Sequence, residues 1–174
     1  EEQCAALVSL YLEGGASCVF HTQSEEEVAR ILACPLVAAA SDSGVRVFGE
    51  GKPHPRGYGT NARILGRYVR KQKVLALEDA IRKMTSLPAL AFRFRDRGVL
   101  REGAWADLTI FDPETITDLS TYEDPHHYSQ GIEWVIVNGE VVLEGGRMTG
   151  RYPGQPIYGP AVEPSASADS SREN

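Results

Sequence analysis

One carboxylate in the sequence follows a segment that has the pattern of a buried strand. Residues 36–40 read LVAAA, the continuous apolar run expected of a strand covered on both faces of a parallel sheet. Asp42 comes directly after it, in the sequence SDSG. A carboxylate at the carboxyl end of a barrel strand faces the catalytic rim, where it can bind a metal ion or accept the proton of a metal-bound water. Asp-Ser-Gly is also ordinary turn chemistry, with the Asp bonded to its own backbone, and the local pattern alone favours that turn.

A second candidate is Arg56, in the sequence HPRGYG within a Gly- and Pro-rich loop predicted over residues 43–60. The planar guanidinium offers paired donors that match a substrate carboxylate. A solvated or structurally paired arginine is the alternative, and locally the favoured one. For His54, two residues earlier, the favoured role is a hydrogen bond that pins the loop, and the alternatives are a metal ligand or a proton carrier.

The remaining histidines do not form a metal motif. His126 and His127 are interpreted as part of a surface loop, since neighbours in sequence rarely converge on one ion without other ligands. His21 lies at the end of a predicted strand and could be a ligand or a structural residue. The sequence contains no H-x-H, no P-loop and no G-x-G-x-x-G. Trp105 and Trp134 lie in strand patterns and are expected in the core.

The elements that would position these residues alternate between strand and helix up to about residue 95. A short strand is predicted over 16–21, and Ser24 begins a capping box for the helix that follows. Helices are predicted over residues 4–12, 24–34, 62–70 and 77–85, with a short one capped by Ser86 and beginning near Pro88. Strand, capped helix and buried strand form the repeat of a barrel or a doubly wound sheet. A complete (β/α)₈ barrel needs roughly 250 residues, so a chain of 174 residues has room for only part of one.

After residue 95 the pattern changes to that of strands. A strand is predicted over 105–111, and a hairpin joins 134–137 to 140–143 through Asn138-Gly139. Asn-Gly suits a two-residue turn because both residues tolerate positive φ. The segment 159–174 has no apolar periodicity and is predicted to be a disordered tail.

Composition excludes several classes of partner. The net charge of −6 argues against a nucleic-acid surface, which needs a basic patch. No apolar run is long enough to span a bilayer, and no membrane contact is expected. The three cysteines form no C-x-x-C pair and are expected to be reduced, which fits a cytoplasmic protein. Oligomeric state is not predictable from the sequence.

Several stretches together resemble one family. They are 36–44 (LVAAASDSG), 54–70 (HPRGYGTNARILGRYVR), 77–88 (LEDAIRKMTSLP), 96–113 (DRGVLREGAWADLTIFDP) and 131–150 (GIEWVIVNGEVVLEGGRMTG). These are similar to the C-terminal part of N-acyl-D-amino-acid deacylases, the D-aminoacylase branch of the amidohydrolase superfamily. The last two stretches occur across the superfamily, whereas SDSG followed by HPRGYGT is specific to this branch.

The resemblance implies a fold class: α/β, the C-terminal fragment of a (β/α)₈ TIM-like metal-dependent hydrolase barrel plus part of a small β-sandwich. Residues 1–95 would supply the last βα units of the barrel and residues 96–158 strands of the sandwich. The sequence does not begin with Met, which fits the expectation that this chain is part of a longer protein.

The resemblance also implies roles for the two candidates. Asp42 would deprotonate the attacking water and protonate the leaving amine, and Arg56 would bind the carboxylate of a small-molecule N-acyl amino acid. Zn²⁺ is the cofactor expected in the complete enzyme. Its main ligands would lie upstream, so the metal ligands of this chain stay unknown and the chain alone is expected to be inactive and to bind no zinc tightly. The alternatives are another C–N hydrolase of the superfamily, such as a cyclic amidase, and a non-catalytic stand-alone domain.

Overall fold

The helices of the chain come first and the strands last, as the change of pattern near residue 95 predicts. A computed structural model describes residues 2–15 and 22–158. The predicted strand at 16–21, with His21 at its end, and the predicted tail 159–174 lie outside the described residues. The helices are α1 (Glu2–Leu12), α2 (Glu25–Ala33), α3 (Arg56–Arg63), a π-helix (Ile64–Lys71), α4 (Leu77–Met84) and α5 (Ser86–Ala91).

The α2 helix begins where the capping signal predicts. The Ser24 hydroxyl accepts a hydrogen bond from the Glu27 N–H at 3.4 Å, which satisfies one of the unpaired donors of the first turn. Three glutamates lie in that turn, where their negative charges interact favourably with the positive end of the helix dipole. The helix ends before Pro35, which cannot continue it.

The α3 helix begins six residues before the predicted start at 62, so the predicted loop over 43–60 is too long. Gly57 and Gly59 weaken the helical signal in the sequence, but the fold uses Gly59 for a close approach. A Cβ at Gly59 would lie 2.6 Å from the Cβ of Asp118. From Ile64 the chain continues as a π-helix, and at its end the Gln72 N–H reaches back five residues to the Arg67 carbonyl at 2.8 Å.

The strand predicted at 36–40 is wrong for this structure, because the segment is irregular and Leu36 is exposed. A buried strand needs hydrogen-bonding neighbours on both sides, and within the described residues none lies beside it. Helix α4 supplies hydrogen-bonding partners for this segment instead of neighbouring strands. The Ala39 N–H donates to the Lys83 carbonyl at 3.0 Å, and the Lys83 ammonium donates to the carbonyls of Cys34 and Val37.

Residues 96–158 contribute one antiparallel sheet in the order β1-β2-β3-β4. Its strands are β1 (Leu108–Phe111), β2 (Ile132–Val137), β3 (Glu140–Glu144) and β4 (Arg147–Met148). The predicted hairpin is confirmed, and Asn138 and Gly139 both have positive φ, at 49° and 82°. The strand predicted from 105 begins only at Leu108.

The buried core lies mainly among the helices. It consists of Leu32, Ala62, Ile64, Leu65, Tyr68, Ala80 and Ile116. Ile116 follows β1 and joins the sheet region to the π-helix. The expectation of a core position is wrong for Trp105, which is 51% exposed. Its indole N–H donates to Asp96 at 2.7 Å and Arg97 lies over its ring, so polar partners hold it at the surface. Trp134 is half-buried.

Across the described ranges, no helix is both long and apolar enough to traverse a bilayer. The division at residue 95 and the barrel and sandwich remain predictions.

Candidate functional site

The structure brings the two candidate residues together. An Arg56 guanidinium nitrogen lies 2.9 Å from a carboxylate oxygen of Asp42. The Asp42 side chain is 85% exposed and that of Arg56 is 44% exposed, so solvent reaches both groups. An ion pair this exposed adds at most about 1 kcal/mol to stability. The pair therefore contributes little to the stability of the fold.

The backbone at Asp42 has an uncommon conformation. Its φ is 49°, in the left-handed region that Asp tolerates better than most residues other than glycine. Such a conformation costs on the order of 1–3 kcal/mol and tends to occur at ligand-binding and catalytic sites. In the described structure the Asp42 carboxylate points to Arg56 across the loop.

His54 holds the start of the helix that carries Arg56. Its Nδ1 accepts a hydrogen bond from the Arg56 N–H at 3.0 Å, which caps an unpaired donor of α3. Its Nε2 lies 3.4 Å from the Tyr122 hydroxyl, and the two rings meet edge to face. This agrees with the prediction that His54 pins the loop.

His126 ties the loop between Asp42 and Arg56 to the rest of the fold. Its Nδ1 accepts from the Gly49 N–H at 3.1 Å and lies 3.0 Å from the Tyr58 hydroxyl. Its Nε2 lies 3.0 Å from the Gly51 carbonyl. His126 lies in an irregular, half-buried part of a loop, as interpreted, but it has partners in another loop that the sequence does not indicate. His127 is exposed and bonds Asp124 at 2.8 Å.

Aromatic rings pack around His126 and the loop residues that it contacts. The Phe48 and Tyr128 rings stack with centroids 4.8 Å apart. Tyr58 meets Phe48, His126 and Tyr128 edge-on at 5.7–6.0 Å between centroids, and Phe48 meets His126 edge-on at 5.6 Å. The Tyr58 carbonyl also accepts from the Ser129 hydroxyl at 3.1 Å. The segment containing residues 126–129 thus packs against both the loop and α3. Sequence reasoning missed these aromatic residues, since Phe48 and Tyr58 lie 70–80 positions before Tyr128 and no local pattern links them.

Two groups outside the site have shifted pKa values. Burial, followed by the hydrogen bond to Glu25, raises the pKa of Tyr68. Hydrogen bonds from the Glu114 N–H and the Thr115 hydroxyl lower the pKa of Asp112, which closes the turn after β1.

The described part of the chain does not build a metal centre by itself. Within residues 2–15 and 22–158, no three His, Cys, Asp or Glu side chains converge as they would around an ion. A tight Zn²⁺ site needs three or four such ligands. Asp42 offers one carboxylate, and a carboxylate beside a guanidinium can transfer a proton and bind a second carboxylate.

Comparison with known proteins gives consistent matches. The model of the Amidohydrolase family (Amidohydro_3) matches residues 6–143. The N-acyl-D-glutamate deacylase of Alcaligenes xylosoxydans xylosoxydans is 44% identical over 128 residues, which cover 74% of this chain and 26% of that protein. The N-acyl-D-aspartate deacylase of the same organism is 41% identical over 140 residues, covering 80% and 28%.

A solved structure matches as well. It is the N-acyl-D-glutamate deacylase of Bordetella bronchiseptica, complexed with zinc and a phosphonate inhibitor that mimics the tetrahedral intermediate. The TM-score is 0.64 and the identity 41%, over 79% of this chain and 26% of that one. The chain thus spans about a quarter of the length of the curated relatives it matches.

Proposed function

We propose, from the premise that this chain belongs to the amidohydrolase family, that the protein containing it hydrolyses the amide bond of N-acyl-D-amino acids. The observation that carries the proposal is the contact between Asp42 and Arg56 at 2.9 Å. This contact puts a proton acceptor beside a group that binds carboxylates, and an enzyme that hydrolyses an N-acyl amino acid needs both.

Asp42 acts as the general base and then as the general acid. Its carboxylate accepts a proton from the water that attacks the acyl carbon, and a tetrahedral intermediate forms. The same proton then passes to the amide nitrogen as the C–N bond breaks. Bond cleavage gives a carboxylic acid, which passes its proton to the released amine. The products are a carboxylate and a free D-amino acid with a protonated amine, so atoms and charge balance. A positioned acid–base group of this kind contributes about 10²–10⁴-fold to the rate.

Arg56 binds the α-carboxylate of the substrate. A guanidinium has five N–H donors in a planar fork, and Asp42 occupies only one edge of it. The other N–H groups of the half-exposed guanidinium can donate to a second carboxylate in bidentate geometry. The amide of the bound substrate would then lie within reach of Asp42.

Zn²⁺ is the proposed cofactor of the complete protein, supported by the zinc in the similar deacylase structure. When bound, it would polarise the acyl carbonyl and lower the pKa of a bound water. Its main ligands would come from outside this chain. The isolated chain, dialysed against metal-free buffer, should retain far less than one zinc ion per molecule by metal analysis. About one retained ion per chain would contradict this assignment, because tight sites need three or four ligands.

A substrate panel on the complete protein tests the proposed function. We expect free amine to be released from N-acetyl-D-glutamate, N-acetyl-D-aspartate or a neutral N-acetyl-D-amino acid, and not from their L-enantiomers. A cyclic amide in the same panel distinguishes the cyclic amidase alternative. Turnover of the cyclic amide alone would overturn the proposal, and no turnover of any member would favour a non-catalytic domain.

Arg56→Lys in the complete protein tests the carboxylate receptor. Lysine keeps the charge but loses the fork, so KM should rise more than kcat falls. The loss should shrink for a substrate whose α-carboxylate is blocked as an amide. Arg46→Lys is the matched control, since Arg46 is an exposed arginine of the loop that precedes α3. Equal losses on free and blocked substrates would remove Arg56 from the site.

A further inference from the structure

His126 is tied by three contacts to the loop and helix that carry the candidate site, and the proposed reaction does not use it. Two of these contacts reach Gly49 and Gly51, in the middle of the loop between Asp42 and Arg56. The third reaches Tyr58, two residues after Arg56 in α3. One imidazole therefore connects the loop to the first turn of the helix.

The direction of these hydrogen bonds fixes the form of the ring. Because the Gly49 N–H donates to Nδ1, that nitrogen carries no proton, and the neutral ring bears its proton on Nε2. Nε2 can then donate to the Gly51 carbonyl. Each ring nitrogen has a partner on the loop, so rotation of the ring would break contacts on both sides.

The same ring also packs against aromatic rings of the loop and of α3, and the chain just before it is buried. Phe48 and Tyr58 pack edge-on against it, at 5.6 and 5.7 Å between centroids. Pro125, the preceding residue, is buried, and its carbonyl accepts from the buried Ser120 hydroxyl at 2.6 Å. Because the chain before it is buried and hydrogen-bonded, the His126 ring can hold a loop that has no regular structure of its own.

The loop needs contacts of this kind, because the side chains of Asp42 and Arg56 are both exposed. Without an external tie, thirteen residues of irregular chain between Asp42 and Arg56 would sample many conformations. A binding group that is misplaced by about 1 Å can lower the rate by about 10²-fold. The His126 contacts restrict the loop at its middle and at its end.

We propose that His126 is a positioning residue, which fixes the 44–55 loop and the start of α3 so that Arg56 is aligned to bind the substrate carboxylate beside Asp42. This inference rests on the proposed function for its kinetic consequences, but the tie itself can be measured separately. His126 touches neither substrate nor the reacting atoms in this assignment, and it acts through the loop and through Tyr58.

The test compares His126→Ala, His126→Asn and Tyr58→Phe in the complete protein with its metal bound. His126→Ala should raise KM for free N-acyl-D-amino acids by about 10–100-fold with a smaller fall in kcat, as expected for a misplaced binding group. The loss should shrink on the α-amide substrate, as for Arg56→Lys. His126→Asn keeps an acceptor for the Gly49 N–H and should recover part of the loss. Tyr58→Phe removes one hydroxyl but keeps the ring contacts and should give a small increase in KM.

His127→Ala is the matched control, since His127 is the adjacent residue and its imidazole bonds the exposed Asp124. It should leave KM and kcat unchanged. A double-mutant cycle with Arg56→Lys completes the test. If His126 acts through Arg56, the combined loss should be clearly smaller than the product of the two single losses.

Hydrogen exchange separates failure of this inference from failure of the proposed function. His126→Ala should speed exchange at the amides of Gly49 and Arg56 but not in β2 or β3. If the wild-type protein hydrolyses no member of the panel, the proposed function fails, and exchange at these two amides alone decides whether the tie exists. Unchanged exchange, losses equal to those of His127→Ala, or equal losses on free and blocked substrates would each overturn the positioning role.

Discussion

Asp42 and Arg56 illustrate how little a single residue reveals before its neighbours are known. Each has a simple structural explanation, a turn for one and a solvated or structurally paired cation for the other. Their contact at 2.9 Å pairs two side chains fourteen positions apart, which the local sequence of neither residue indicates. The positive φ of Asp42 adds a conformational cost, in a region that Asp tolerates in turns.

Asp42→Asn in the complete protein should abolish most turnover and leave the fold intact. Asparagine has the size of aspartate but cannot accept the proton of water, so kcat should fall by about 10²–10⁴-fold. Steady-state kinetics with circular dichroism as a folding check would measure this. Asp124→Asn, an exposed aspartate outside the site, is the control. A variant that keeps most of its kcat would leave Asp42 as a turn residue only.

At this scale the sequence predicts identities better than contacts. Asp42 and Arg56 are candidates through the family resemblance, and the local pattern favours the pinning role of His54. The contacts of His126 are not predictable in this way, because its partners lie 68–77 positions away. Only packing of the 126–129 segment on α3 distinguishes His126 from His127.

Among the elements, the π-helix is positioned by a glycine that no periodic pattern would require. A Cβ at Gly66 would lie 2.5 Å from the Ile116 carbonyl oxygen, so the backbone of the post-β1 turn presses directly on the helix. This contact joins the helical core to the sheet. It also explains why a glycine is retained where alanine would favour a helix by about 0.5–1 kcal/mol.

Gly66→Ala should therefore destabilise the protein despite the better helix propensity of alanine. Overpacking costs about 1–3 kcal/mol, which outweighs the propensity gain. We expect a lower melting temperature of the complete protein, measured by calorimetry. Gly154→Ala is the control, because a Cβ there meets nothing within 4 Å. An unchanged or raised melting temperature for Gly66→Ala would show that the turn moves away at little cost.

Tyr68 joins the π-helix to α2 and makes the stability of this contact depend on pH. Its hydroxyl donates to Glu25 at 3.0 Å, and burial, followed by this hydrogen bond, raises its pKa above the ordinary value of 10.0. A raised folded-state pKa gives a contribution that is complete below the unfolded pKa and is lost as pH rises through the folded one. The advantage of wild type over Tyr68→Phe should be constant below about pH 10 and shrink above it.

Urea unfolding between pH 7 and pH 11 would measure this difference. Tyr152→Phe is the matched control, since Tyr152 is 85% exposed and should leave the pH profile unchanged. A constant difference between wild type and Tyr68→Phe across the whole range would show that the tyrosine ionises equally in both states.

The elements were predictable where their signals are local. The Ser24 cap, the helix over 77–84 and the Asn-Gly hairpin all depend on residues within a few positions of each other. The strand at 36–40 fails for the opposite reason, since an apolar run becomes a strand only when other strands flank it. Trp105 fails because its Asp96 and Arg97 partners give a surface indole the contacts that a core would otherwise supply.

On the scale of the whole molecule, the family was predictable and the barrel remains a prediction. The family resemblance depends on motifs within this chain and is confirmed by the match over residues 6–143. A closed barrel depends on further strands. This chain covers about a quarter of the length of its relatives, and its described residues do not include such strands. The exposed apolar surface of the described chain reflects the same limit. Helix α1 has no buried residue, and Leu36, Leu100 and Tyr11 are each more than 80% exposed.

The 174-residue chain, purified alone, should therefore self-associate. Each large apolar side chain removed from water contributes about 1.5–3 kcal/mol, so association that covers such a surface is favoured. Light scattering coupled to size exclusion should show oligomers, and a dye that binds apolar surface should fluoresce. Within α1, Leu7→Glu should reduce association more than Ser9→Glu, which adds the same charge on the same helix without removing an exposed apolar side chain. A monodisperse monomer with a sharp cooperative melt and no dye binding would contradict the prediction, because it would mean that these apolar residues are covered by the chain itself.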